Sequence, residues 1–445
     1  MTALSTPARV PDSGRAAEEP FPLRWSATQT RLLRERAEGS GPAPLVTAIE
    51  LDGPVDAARL DQAWQELQWR HPFLRVRLGP DGPFAAPEVR PLLRANIPGS
   101  SPGFRTDAAQ VLAAAARPRD LATEGPADAA WIRTGPEAGL LICSVDHLAT
   151  DGWSFGLMAR QWGELYRTPG AGAVVDPSSV IARYDEPERV RAHGIAVRNL
   201  AEELAGAQPF PLPPSQSGWA LLHVDLPLDI AGGLRARATR DRSTPFALAL
   251  AALGRALAAE HGVTDLVVST HVANRSVPQS EQVVCALYNT VPLSISARSG
   301  DDLEGWVASA KQASLRALQR QSLPFATARQ VLAGTLPSDA FLRVMINFDQ
   351  HPFLGLSLPG VEIHESAAWS PQRLGTGLNA PWYSTSDRPW PAGITVSFRE
   401  TWDCLQLYIH YGAELGDRAA LMLLGRVTEG LALLTDSRQE ENGHG

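Results

Sequence analysis

Residues 139–166, GLLICSVDHLATDGWSFGLMARQWGELY, change period halfway along. The opening GLLICSVD is a short apolar run with β-branched members that ends in polar residues, as a buried strand does. From Trp153 onward, helical spacing resumes through Leu157, Met158, Gln161 and Leu165. A strand thus delivers the chain into the polar turn DHLATDG, and a helix carries it away. The turn holds His147, a side chain that titrates near neutrality without perturbation, beside two carboxylates, Asp146 and Asp151.

Strands and helices continue outward in both directions. Upstream, DAARLDQAWQELQWR (56–70) places Leu60, Ala63, Trp64 and Leu67 on one helical face, and HPFLRVRL then alternates as a strand does. Downstream, STPFALALAALGRALAAEHG has Ser243 or Thr244 as N-cap, Pro245 at the first helical position and Gly262 as the stop. TDLVVSTHVANR and LYNTVPLSISA (287–297) read as strands, and DDLEGWVASAKQASLRALQR (301–320) as an amphipathic helix opened by acidic residues. FLRVMINFD (341–349) and AGITVSFRETWDCLQLYIHY (392–411) close the chain with strands. The expected class is α/β, with mixed sheets of α+β character and no fixed repeat of a solenoid.

A chain of 445 residues exceeds what one core organises, so two lobes of roughly 200 residues each follow from domain-size scaling. The proline-dense AQPFPLPPSQSG (207–218) marks their boundary. We expect an N-terminal lobe over 21–205, a C-terminal lobe over 206–435, and polar, disordered tails at 1–20 and 436–445. A net charge of -8 argues against nucleic acid, which needs clustered Lys and Arg. Cys143, Cys285 and Cys404 are far apart and follow no metal spacing, so buried thiols are expected and no metal site. With neither a signal-like apolar segment nor a run of roughly 18 apolar residues, a cytoplasmic monomer without a membrane partner is expected.

Several segments resemble, in the right order, the signature motifs of nonribosomal peptide synthetase condensation domains, of the chloramphenicol-acetyltransferase-like superfamily. WSATQTRLL (25–33) is similar to the opening Ser-x-Ala-Gln-x-Arg signature, and RHPFLRVRL (70–78) to Arg-His-x-x-Leu-Arg. SVDHLATDGWS (144–154) stands where the family has His-His-x-x-x-Asp-Gly. VVCALYNTVPL (283–293) resembles the Phe-Val-Asn-Thr segment, RQSLPFATAR (320–329) the Pro-Phe-Glu segment, and FLRVMINFDQ (341–350) the late strand motif. The resemblance runs from about residue 21 to 435. It implies two acetyltransferase-like lobes in a V-shaped pseudo-dimer, with the active site in a central tunnel where they meet.

The resemblance also implies an acyltransferase that joins an acyl or aminoacyl thioester to an amine or alcohol acceptor. The donor would arrive on the 4'-phosphopantetheine of a separate peptidyl or acyl carrier protein, and the chain itself would bind no cofactor. Neither an adenylation motif nor a phosphopantetheine attachment site is present, which points to a free-standing enzyme acting in trans. Aminolysis needs a neutral amine, while an α-amino group is mostly protonated at neutral pH. His147, at the position of the family's catalytic histidine, is suited to take that proton, or to position the nucleophile through a hydrogen bond. Backbone N–H groups near Gly152 and the following helix start would favour an oxyanion. Asp151 is implied to be architectural, paired with the arginine best matched by Arg275; a plain helix N-cap is the simpler role. Asn347, Ser154 and Trp153 are the candidate substrate-binding residues.

Asp146 departs from the family, which has histidine there. Either the position is structural and tolerant, or the carboxylate raises the basicity of His147. Asp146, Asp151 and Ser154 also fit the Asp-x-x-x-x-Asp-x-x-Ser signature of heterocyclisation domains. A third reading is a catalytically inactive condensation-like domain that recruits other enzymes. Residues 152–156 satisfy the Gly-x-Ser-x-Gly nucleophile elbow as well, but Ser154 stands too far past the strand end for that geometry.

Overall fold

The computed structural model describes residues 21–39, 44–99, 115, 117–170, 175–205, 207, 209–212, 218–297, 302–333, 336–337, 339–365, 382–384 and 392–436. The expected tail at 1–20, all but the first residue of that at 436–445, and part of the proline-rich stretch lie outside the described residues.

In chain order the strands are β1 (Phe21–Pro22), β2 (Leu45–Asp52), β3 (Val76–Gly79), β4 (Gly82–Ala85), β5 (Leu93–Asn96), β6 (Ala127–Arg133), β7 (Ala138–Val145), β8 (Trp219–Pro227), β9 (Asp265–Val272), β10 (Asn289–Ser296), β11 (Val344–Gln350), β12 (Glu362–Glu365), β13 (Trp382–Ser384), β14 (Ile394–Glu400) and β15 (Cys404–Gly412). The helices are α1 (Ala27–Ala37), α2 (Ala57–Arg70), α3 (Gly152–Arg167), α4 (Pro177–Ala182), α5 (Pro187–Glu203), α6 (Leu228–Arg240), α7 (Pro245–His261), α8 (Leu303–Gln319), α9 (Phe325–Leu332) and α10 (Asp417–Thr435).

The described residues divide into two compact units that interleave along the chain. The first takes residues up to Pro187, then Ala273–Tyr288 and the described residues from His351 to Glu365; the second takes Glu188–Val272, Asn289–Gln350 and the remainder. This differs from a single boundary near 205. The reason is apolar: Leu200 and Leu204, at the end of α5 and just beyond it, pack with Val267, Leu323, Phe325 and Phe341 of the second unit.

The first unit is built on a sheet of order β12-β2-β7-β6-β5, antiparallel except for the β5–β6 pair. Strand β7 is buried from Gly139 to its end, which is why its sequence reads as a continuous apolar run instead of alternating. Helices α2 and α3 pack through Trp64 and Trp162, with ring centroids 4.9 Å apart. HPFLRVRL is not one strand. Pro72–Arg75 wind into a 3₁₀ turn with proline in its first turn, and β3 starts only at Val76.

In the second unit the order is β10-β9-β11-β14-β15-β8-β13. Alternate residues of its strands face one core: Ile346, Val396, Phe398, Leu407 and Ile409 meet Leu234 of α6, Leu253 of α7, Trp306 of α8 and Val427 of α10. Helix α7 has Thr244 as its N-cap, accepting from the Ala247 N–H, and Pro245 at its start. It stops at Gly262, whose φ of 65° suits glycine.

Candidate active site

The turn between β7 and α3 belongs to the first unit, and so do Arg275 and Tyr288. Asp151 is the N-cap of α3: its Oδ1 accepts from the Ser154 N–H at 2.9 Å. Its Oδ2 accepts from the N–H groups of Leu287 and Tyr288 at 2.9 and 3.0 Å. Arg275 donates to both oxygens, Nη2 to Oδ1 at 2.9 Å and Nη1 to Oδ2 at 3.0 Å. The two side chains are 2% and 4% exposed. Burial pushes the Asp151 carboxyl up, but the Arg275 charge and the bonds from Arg275, Ser154 and Leu287 outweigh it and hold the group below its ordinary value. Helix cap and ion pair, weighed from sequence as alternatives, are present together.

His147 is partly exposed, between fully buried neighbours. Its Nδ1 lies 3.0 Å from the Thr150 carbonyl oxygen. A carbonyl only accepts, so Nδ1 carries the hydrogen and Nε2 keeps its lone pair. Burial pushes the imidazole below its ordinary value; bonds to the His147 and Thr150 carbonyls and the charges of Asp151 and Asp146 pull the other way without cancelling it. The ring is therefore neutral at pH 7. The Tyr288 ring stands beside it, centroids 5.2 Å apart.

Asp146 is fully buried, and Arg36 Nη2 reaches both its oxygens at 2.8 and 2.6 Å. Oδ1 also accepts from the Leu148 N–H at 2.9 Å. The carboxylate is thus committed to α1 and to its own turn, and it is the smallest of the contributions that raise His147.

The family profile for the condensation domain matches residues 25–186, the stretch that supplies α1, β7, the turn and α3. This stretch of the chain resembles the condensation domains. It is similar to the beauvericin nonribosomal cyclodepsipeptide synthetase of Beauveria bassiana, 29% identical over 50% of this chain and 7% of that one. It is also similar to the phosphinothricin tripeptide synthetase PhsC of Streptomyces viridochromogenes, 26% identical over 73% of this chain and 32% of that one. The chain therefore spans a third or less of the length of these relatives.

Among solved structures, the condensation domain of the monacolin K polyketide synthase MokA superposes with a TM-score of 0.72 at 14% identity, covering 95% of this chain and 98% of that one. The EpoB cyclization-docking bidomain of Sorangium cellulosum gives 0.69 at 19% identity, covering 95% and 85%. The X-domain in its complex with OxyB from teicoplanin biosynthesis gives 0.65 at 17%, covering 95% and 95%. One fold serves domains described as condensation, cyclization and X-domains, so the fold alone does not choose among those activities.

Ser154 is not placed for substrate. It is fully buried, and its hydroxyl donates to the Cys285 carbonyl at 2.9 Å while accepting from the Cys285 N–H at 3.1 Å and Arg275 Nη2 at 2.8 Å. Those three partners leave no face for a ligand, and no imidazole bonds it as a nucleophile's base would. Trp153 is 44% exposed with its indole N–H on the Glu281 carbonyl. Gly152 opens α3, with open space where a Cβ would stand. Asn347 belongs to the second unit, where its Oδ1 accepts from the His271 N–H at 3.3 Å.

Sequence reasoning missed how much of the turn is held by α1. Gln29 Nε2 donates to the Leu148 carbonyl at 2.6 Å, and the hydroxyls of Ser26 and Thr28 donate to the carbonyls of Ala286 and Tyr288 at 2.7 and 2.5 Å. Arg31 Nη2 donates to the Tyr288 hydroxyl at 3.0 Å, and Arg36 takes Asp146. The signature at 25–33 is thus a set of polar hooks on the site's two flanks. A signal for Arg36 was available: a buried carboxylate at 146 demands a cation somewhere. No helix among the described residues is long and apolar enough to cross a membrane.

Proposed function

We propose that the chain catalyses condensation: an amine or alcohol attacks a carrier-bound acyl thioester, with His147 Nε2 as the proton acceptor. The observation that carries this reading is the fixed tautomer, a neutral and partly exposed imidazole whose Nδ1 is spent on a carbonyl. As the nucleophile's bond to the acyl carbon forms, its proton passes to Nε2. The carbon–sulfur bond then breaks and the proton leaves with the thiolate as a thiol. General-base help of this kind is typically worth roughly 10²- to 10⁴-fold. The N–H groups at the open start of α3, near Gly152, would face the developing oxyanion, where the helix dipole is positive. Asp151, Arg275 and Asp146 position the imidazole and do not touch substrate.

The reading implies a carrier protein as donor partner, a cytoplasmic setting, and phosphopantetheine that belongs to the carrier. The test loads candidate acyl groups on a separate carrier protein, adds amine and alcohol acceptors, and follows product by intact mass. Product with the natural chain and none with His147→Ala is the expected result. Product from neither overturns the function, and equal product from both overturns the role of His147. A further loss of water from the product would mark heterocyclisation instead.

A further inference from the structure

The first unit holds a cavity of about 530 Å³ where the start of α2 meets the β5 edge of the sheet. Its lining includes Asp56 and Ala57, Arg94 and Asn96 of β5, and Trp131 and Arg133 of β6. Parallel register pairs Arg94 with Trp131 and Asn96 with Arg133. These four side chains therefore share one face of the sheet. Register also sets the cavity apart from the turn that holds His147. Arg133 stands opposite Gly139 at one end of β7, whereas Val145 adjoins the turn at the other, about 20 Å away by strand rise.

Donors in this lining exceed the acceptors the protein gives them. Arg94 Nη2 donates to Asp61 at 2.9 Å, but its Nε is buried with no partner among the described residues. Arg133 spends Nη2 on the Pro136 carbonyl at 3.1 Å and makes no ion pair among those residues. Trp131 is 5% exposed, yet its indole N–H makes no hydrogen bond among them, and neither does the Asn96 side chain. The indole lies against Gly139, where a Cβ would stand 2.3 Å from the ring, so glycine is what gives it room. Asp56, the acid of the lining, already caps α2 by accepting from the Ala58 and Arg59 N–H groups. A buried donor left without an acceptor costs free energy, and a ligand that supplies the acceptor recovers it.

We propose that this cavity binds a phosphate monoester of sugar or nucleoside size, its terminal oxygens taken by Arg133 and Arg94 with the N–H groups of Trp131 and Asn96 completing the set. A guanidinium fork matches phosphate geometry, and three terminal oxygens accept from four donor side chains more fully than the two of one carboxylate. The volume lies within the range of about 300–1,000 Å³ usual for small-molecule sites, which leaves space for the ester group beyond the phosphate. Because the cavity stands at the far end of β7 from His147, its ligand is not the acyl donor or the acceptor of the proposed reaction. The site does not rest on that reading.

The experiment titrates the full chain with adenosine monophosphate and a hexose phosphate, each beside its unphosphorylated parent and beside malonate, by calorimetry at constant ionic strength. At least one monoester binds about tenfold to hundredfold more tightly than its parent, the size expected of one charge-assisted contact. Arg133→Gln removes most of that preference and Arg133→Lys keeps part of it. Trp131→Phe, which retains a ring and loses the N–H, weakens the monoester severalfold and leaves the parent unchanged. Circular dichroism and melting confirm that the variants fold; if Trp131→Phe does not, exposed Arg133 carries the test. A monoester no tighter than its parent, malonate binding as tightly as the monoester, or a preference undiminished in Arg133→Gln overturns the site. His147→Ala retains the binding; its loss there would place the ligand at the catalytic turn and overturn the site as well.

Discussion

Replacing Arg275 by alanine leaves the Asp151 carboxylate buried with its backbone donors but without a counter-charge. The side chains are 2% and 4% exposed, so little water can substitute, and removing one partner of such a pair costs about 3–5 kcal/mol. The guanidinium also serves the carbonyls of Ala273 and Cys285 and the Ser154 hydroxyl, so no part of that cost is recovered locally. At about 1.4 kcal/mol per tenfold, the opened form of this segment becomes roughly two to three and a half powers of ten more populated. Cys285 reports it directly. Burial pushes its thiol up to about 12 against the pull of Arg275, so it is inert in the closed protein. Pulse alkylation followed by peptide mass spectrometry reads its protection, with buried Cys143 of β7 as the internal control. The pH dependence has a definite sign. In the natural chain Asp151 is held below its ordinary value, so its contribution is present above the unfolded carboxyl value, about 4, and is lost as pH falls through the folded value. Without Arg275 the largest downward pull on the carboxyl is gone, so its folded value rises and less stability is lost on acidification. The gap between the two proteins is therefore widest at neutral pH and narrows toward pH 4. Protection of Cys285 within tenfold of the natural chain at pH 7, or a gap that widens in acid, refutes the reasoning.

The rate of the proposed condensation falls on the acid side through a titration below the ordinary histidine value of about 6.5, because burial depresses His147; a pH–kcat/KM profile measures it, and a limb above 6.5 contradicts the burial argument. Asp146→Asn leaves that acid limb nearly unmoved but lowers the melting temperature, since the carboxylate faces Arg36 and contributes least to His147. Gly163→Ala destabilises by about 1–3 kcal/mol despite alanine's better helix propensity, because its Cβ would stand 2.7 Å from the Ser357 carbonyl oxygen, a backbone atom; urea unfolding measures the sign.

Much of the fold was legible because its elements follow local rules. The strand–turn–helix at 139–166 changes period where β7 gives way to α3. Leu60, Ala63, Trp64 and Leu67, one face of α2 by spacing, are all buried. Proline and glycine punctuated α7 at both ends. Where local rules compete, the reading slipped: Pro72 favours a tight turn, so the alternation of HPFLRVRL did not become one strand. Residues 188–205 were placed in the N-terminal lobe by a single boundary, whereas Leu200 and its neighbours join the second unit through packing.

The site was legible only in its turn, and the reason lies in sequence separation. His147 and Asp151 share a turn with their first partners, Thr150 and Ser154. The residues that fix them come from 110 or more positions away: Arg36 to Asp146, Gln29 to Leu148, Arg275 to Asp151. No periodicity encodes such pairs. Burial does so indirectly, because a carboxylate removed from water at 146 or 151 must find a cation. The polar neighbours of Asp146 on α1 and of Asp151 at 275 are the two answers the chain supplies. Their effect on His147 is the smaller one: both carboxylates pull the imidazole up, and its burial outweighs them.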